Sequence, residues 1–369
     1  MPQPILYAAV TNHGFGHATR TASVLAEVKR ICPEVVIALV TTAPRWLLES
    51  YLREDFIYRP MPLDIGVVQS DSITMDKAAT LEKLKQIRVQ EKKTVAGEVT
   101  FIRQNRVRLV IADIPPIATS IARAAGIPCW MISNFGWDFI YRDWGGEFVE
   151  LADWIGERFS GCDRLYRLPF HESMSAFPTI VDTGLTGGSP YYSAAEMRQW
   201  FNLTALVERT ALLTFGGLGL DQIPYHNLER FPDWQFITFD RQAPDLPNLV
   251  KASAMLNGTP HERMVRPVDF MPLCCQVVSK PGYSTFAEAC RMDVPLVTIT
   301  RDDFAEAPVL IEGIRNAHRH RILTPEEFFQ GSWNFLQEPP HPPEQHQPLQ
   351  KDGNEVIAKA IVEYLHTDS

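Results

Sequence analysis

Residues 275–301 read CQVVSKPGYSTFAEACRMDVPLVTITR, and this stretch decides the fold class. The apolar run from Gln276 to Val278 predicts a strand that stops at Ser279. Lys280, Pro281 and Gly282 then make a tight turn. Ser284 to Met292 has the composition of a helix, with Ser284 placed to cap it. Pro295 to Thr300 is the next buried strand. The result is a βαβ unit whose glycine turn aims a helix N-terminus outward, where backbone N–H groups and the helix dipole favour an anion. Glu288 lies about one turn further in, where a carboxylate can take the hydroxyls of a ribose. An ordinary βαβ turn with no ligand would use the same residues.

The N-terminal end is built alike. Ile5 to Val10 is an apolar strand without polar alternation, as expected in a parallel sheet covered on both faces. It runs into TNHGFGHATR (11–20), after which Val24, Leu25, Val28 and Ile31 fall on one helix face, and Val35 to Thr41 is a second strand. The loop is not GxGxxG, so it makes no dinucleotide claim. It offers Gly14 and Gly16 for close backbone approach and His17 at the helix start. Leu109 to Ala112 is a strand ending in Asp113, and Ile127 to Ile132 ends in SNFGWD (133–138). His17, Asp113 and Asn134 all fall just past strand ends, where open α/β sheets bind ligands.

Pro169 to Ser193, rich in Pro, Gly, Ser and Thr, reads as a break between domains. After it, the strand from Ala211 to Thr214 enters a second glycine loop, FGGLG (215–219). The expected organisation is α/β with two Rossmann-like domains facing across a cleft. Residues 1–175 form the acceptor-side domain, 176–192 the linker and 193–336 the donor-side domain. Residues 337–369 form a proline-rich connector and an amphipathic closing helix.

Composition narrows the function. The 369 residues carry a net charge of −9, which argues against nucleic acid as the main partner. No apolar run reaches membrane-span length, and the N-terminus lacks a signal pattern. The six scattered cysteines lack a CxxC pair and read as reduced core thiols, which places the expected location in the cytoplasm. Cys274-Cys275 has no metal spacing. His318 and His320, beside Arg315, Arg319 and Arg321, read as a solvated basic helix end, or else a place to hold phosphate. Trp137, Phe139, Tyr141 and Trp144 read as core packing or as a sugar-stacking wall.

Three motifs carry a resemblance. HGFGHATR (13–20), TFGGLG (214–219) and SKPGYSTFAEA (279–289) are similar to the GT-B glycosyltransferases, in particular to family 28, which includes the N-acetylglucosaminyltransferase of peptidoglycan synthesis. The chain also resembles, over nearly its whole length, the N-terminal domain of plant L-arabinokinases, through HGFGHATR, DIGVVQSDSITMDKAATLEK (64–83) and SNFGWDFIY (133–141). No stretch reads as that kinase's phosphate loop, so kinase activity is not expected.

The family 28 resemblance implies a nucleotide-sugar donor, most simply a UDP-sugar, in the C-terminal domain. Gly216, Gly217, Gly282, Ser284 and Thr285 would meet the diphosphate, and Glu288 the ribose. Phe270 and Met271 would flank the base, and Glu306 would bind sugar hydroxyls, although the family's glutamine pair is here Ala305-Glu306. His17 would stand near the acceptor, whose identity the resemblance leaves unknown, together with His13, Gly14, Gly16, Asn134 and Asp138.

Glycosyl transfer needs a stabilised leaving diphosphate, an aligned hydroxyl and a base. A helix N-terminus can serve the first without a metal or cofactor, and Asp302-Asp303 is adjacent rather than DxD-spaced. The base is expected to be His17, with His13 as runner-up and Asp113 or Asp138 as orienting or substitute carboxylates. The expected activity is an inverting, metal-independent hexosyl transfer. The alternatives are a non-catalytic binding module for a sugar or nucleotide sugar, and a nucleotide-sugar epimerase of the same fold.

Overall fold

The computed structural model describes residues 3–69, 75–216, 222–259, 261–345 and 348–367. The chain divides into two compact units. The first runs to Gly187 and takes in the segment from Gln350 onward; the second runs from Gly188 to Leu349.

In the first unit, β1 (Ile5–Val10), β2 (Val36–Val40), β3 (Ile57–Arg59), β4 (Val107–Asp113), β5 (Cys129–Ser133), β6 (Arg164–Arg167) and β7 (Ile180–Asp182) form one sheet ordered β3-β2-β1-β4-β5-β6-β7. Every pairing within it is parallel. The central strands are apolar throughout because helices bury both faces: Leu6 to Ala9 and Leu109 to Ala112 are each 0% exposed. The second unit repeats the plan with β8 (Thr210–Leu213), β9 (Gln235–Thr238), β10 (Leu249–Lys251), β11 (Gln276–Ser279), β12 (Leu296–Ile299) and β13 (His320–Leu323), ordered β10-β9-β8-β11-β12-β13. Each sheet reverses its strand order once, between β1 and β4 and between β8 and β11. A crevice opens past the carboxyl ends of the strands at such a switch point.

Several local expectations change. Ile180–Asp182, inside the stretch read as linker, adds β7 to the edge of the first sheet. The short strands β3 and β6 and the helix Phe148–Phe159 had not been anticipated. The helix after β11 spans Tyr283–Arg291 with Gly282 at its N-cap, so Ser284 lies inside the first turn and does not cap it. His318 and His320 are buried, not a solvated helix end. His318 Nε2 contacts the Val294 carbonyl at 2.8 Å, and His320 sits in β13, its backbone bridged to His341 of the connector.

The closing helix Gly353–His366 packs on the first unit against the helix Gly16–Ile31. Arg108 donates to the carbonyls of Leu365 and Thr367, at 2.6 Å each, and so satisfies the helix C-terminus. Gly353 must be glycine, because a Cβ there would lie 2.2 Å from the Gly184 carbonyl oxygen. Among the described residues no helix is long and apolar enough to cross a membrane.

Candidate active site

The first unit's switch point carries a buried charged cluster. Gly14 takes the left-handed conformation (φ +60°) that turns the chain after β1, and the helix Gly16–Ile31 starts at once. On it His17, Arg20 and Thr21 are spaced i, i+3, i+4, so one face meets the end of β4. There Asp113 is 0% exposed. Its Oδ1 lies 2.7 Å from His17 Nδ1 and accepts from Arg20 Nη2 at 2.5 Å. Its Oδ2 accepts from Arg20 Nε at 2.6 Å and Thr21 Oγ1 at 2.9 Å. Arg20 also donates through Nη1 to Asn134 Oδ1 at 2.7 Å and through Nη2 to Ser133 Oγ at 3.0 Å.

The ionised carboxylate places a proton on His17 Nδ1. Arg20 Nη2 approaches His17 Nδ1 at 2.9 Å as well as Asp113 and Ser133. The proton between His17 Nδ1 and Asp113 Oδ1 belongs to His17, since an ionised carboxylate only accepts.

Burial pushes the Asp113 carboxyl up, but Arg20 and His17 outweigh it and hold it at about 2. A folded value below the ordinary 3.8 stabilises the protein above that pH, by about 2 kcal/mol, and this is lost as pH falls towards 2.

Asp64 behaves in the opposite sense. It accepts from Thr11 Oγ1, yet burial raises its carboxyl from 3.8 to about 7. Trp137 Nε1 faces it and moderates that rise, although neither Trp137 Nε1 nor Asp64 Oδ1 reaches hydrogen-bond geometry. Both residues line a small cavity with Leu63, Tyr141 and Trp154. Because the folded value is raised, Asp64's contribution is fullest below 3.8 and is lost as pH rises through about 7. Asp64→Asn is therefore expected to stabilise the protein by up to about 4 kcal/mol at pH 8 and by almost nothing at pH 4. Denaturant unfolding at the two pH values measures the difference.

The remaining acceptor-side residues separate. His13, Gly14 and Gly16 are half-buried in the glycine loop. The His13 ring stands 6.5 Å from that of His17, and its Nδ1 accepts from Val67 N at 3.2 Å. Asn134 is 0% exposed and its side-chain oxygen serves Arg20, so it supports the cluster and does not line an acceptor surface. Asp113, not Asp138, orients His17. Burial and the neighbouring Glu172 raise the Asp138 carboxyl to about 6, and its Oδ1 lies over Gly136. Trp137 and Tyr141 are core residues with stacked rings 5.6 Å apart. Arg20 escaped the sequence reading, although its i, i+3 spacing from His17 was the available signal.

In the second unit the corresponding place is the turn after β11. The N-cap Gly282 gives no side-chain hydrogen bond to the helix start, and Gly282, Ser284 and Thr285 are half-buried. Lys280 Nζ stands 4.0 Å from where a Cβ on Gly282 would be. Burial and then Arg301 lower its ammonium to about 8, against the opposing pull of Glu306. A polyanion at this turn would favour the charged form and raise that value again. Gly216, exposed and at φ +83°, follows β8, while Gly217 lies outside the described residues. Glu288 is buried, and its Oε1 accepts from Gly188 N at 3.0 Å. Glu306 is buried at the start of the helix Glu306–Ala317. Phe270 and Met271 are 0% exposed core side chains, which leaves only their main chain to flank a base.

Comparison with solved structures places this architecture. A Polygonum tinctorium UDP-glucosyltransferase that glucosylates indoxyl superposes with a TM-score of 0.63 over 100% of both chains at 14% identity. The chain has the GT-B fold. Phytolacca americana UGT2, solved with UDP-2-fluoroglucose and pterostilbene, matches this GT-B chain with a TM-score of 0.57 at 12% identity, covering 99% of it and 93% of UGT2. A Listeria monocytogenes protein assigned to the UDP-N-acetylglucosamine 2-epimerases matches with a TM-score of 0.55 at 14% identity, over 99% and 98% of the two chains. In sequence, Arabidopsis thaliana L-arabinokinase is 30% identical over 323 residues, 82% of the GT-B chain, which spans 28% of that curated relative. No protein-family model matches. Cys32, Glu34 and His366 form a metal-like trio beyond the far end of the helix Gly16–Ile31, and two of the three are exposed.

Proposed function

We propose that the protein is an inverting, metal-independent glycosyltransferase that moves a hexosyl group from a UDP-sugar to an acceptor hydroxyl, in the cytoplasm. The reading is carried by His17, whose Nδ1 lies 2.7 Å from the buried Asp113 carboxylate and whose Nε2 is the proposed base. Nε2 takes the acceptor proton, the acceptor oxygen attacks the anomeric carbon, and the bond to the diphosphate breaks. The leaving charge falls to the start of the helix Tyr283–Arg291 and to Lys280. A single displacement inverts the anomeric centre.

Donor binding is tested by thermal stabilisation against UDP-, GDP-, ADP- and dTDP-sugars, because a ligand of the folded state raises the melting temperature. The expected result is a shift with UDP-sugars that Glu288→Ala abolishes. A shift with none of the four would overturn the donor assignment and favour a non-catalytic module for another ligand. The epimerase reading draws on the Listeria similarity. It would show as a new UDP-sugar epimer formed without any acceptor.

A further inference from the structure

Arg20 plays no part in that proton transfer, yet it is the permanent charge nearest the proposed base. It is 1% exposed and forks onto both oxygens of Asp113, and its Nη2 lies 2.9 Å from His17 Nδ1. A histidine facing a buried carboxylate alone tends to become an imidazolium, because the opposite charge favours its charged form. An imidazolium has no lone pair and is useless as a base. Here the carboxylate charge is already matched by a guanidinium that does not deprotonate, and a second cation so close to Nη2 meets like-charge repulsion.

We propose that Arg20 is a positioning residue that holds His17 as the neutral imidazole protonated on Nδ1, the form that leaves Nε2 free to take a proton. This rests on His17 being the base of the proposed transfer, but it concerns the state of the ring and not turnover. The other groups around the ring are few. Asp113 faces it from β4 and His13 from the glycine loop, 6.5 Å between ring centres. Asp64, in the loop after β3, feels the Asp113 charge. Phe135 and Trp137 wall the ring at 5.6 and 6.1 Å without charge.

The test is ¹⁵N NMR of the full chain with labelled histidine, with His17→Asn used to identify the His17 signals. In the wild type at pH 7, Nδ1 is expected to carry the proton and Nε2 none. In Arg20→Gln both nitrogens are expected to be protonated at pH 7, and the midpoint of the ring's titration to move up by at least one pH unit. Arg20→Lys, which keeps the charge, is expected to keep the ring neutral. A wild-type ring with its proton on Nε2, or with both nitrogens protonated, would overturn the proposal even where Arg20→Gln fails to fold. So would a folded Arg20→Gln whose His17 titrates unchanged. Because the readout needs no turnover, a protein without transferase activity would refute the proposed function and leave this inference standing.

Discussion

His17→Ala is expected to lower turnover by about 10²–10⁴-fold, the range for loss of a positioned general base, while leaving nucleotide binding intact. Binding survives because the proposed donor residues belong to the second unit. The fold survives because His17 makes one of the four contacts to Asp113, and the Arg20 fork still neutralises that carboxylate. The stability lost should be of the order of one hydrogen bond, about 1 kcal/mol. Comparing donor affinity with the rate of UDP release in the variant separates the two effects. An unchanged rate at unchanged affinity would remove His17 from the chemistry.

Asp113→Ala should behave differently, with stability as its first casualty. It removes the carboxylate that holds three donors and leaves the Arg20 guanidinium, 1% exposed, with the neutral partners Asn134 and Ser133. Breaking a buried ion pair from one side costs about 3–5 kcal/mol because an uncompensated charge stays inside. For a unit of this size that lowers the unfolding temperature by roughly 10 °C. Asp113→Asn keeps the shape and one accepting oxygen, and should lose less stability but as much turnover, since an amide no longer favours His17 with Nε2 unprotonated. If Asp113→Ala unfolded at the wild-type temperature, the buried cluster described here would be wrong.

How much of this was legible beforehand follows the physics of each signal. The parallel strands announced themselves as unbroken apolar runs, since a strand covered on both faces cannot alternate. The glycine loops marked the switch points, and Asp113 and His17 could be paired because both fall past strand ends. The short strands β3, β6 and β7, on the flanks of the sheet, were hidden: they are three or four residues long and partly solvent-facing, so neither period nor apolarity marks them. His318 and His320 misled because charge density suggested solvent, whereas their rings are buried among backbone carbonyls. Asn134 sat at the right strand end with its side chain turned inward to Arg20, a direction that sequence does not carry. Ser284 was misplaced by two residues because an extended glycine, not a hydroxyl, opens that helix.

The most direct test of the account is donor hydrolysis, with water standing in for the unknown acceptor. UDP-glucose is incubated with the wild type and with His17→Ala, UDP release is measured, and the anomeric form of the freed glucose is read at once by proton NMR. The wild type is expected to release β-glucose slowly, and the variant at least a hundredfold less at equal UDP binding. Release of α-glucose, or equal rates from both proteins, would contradict the account.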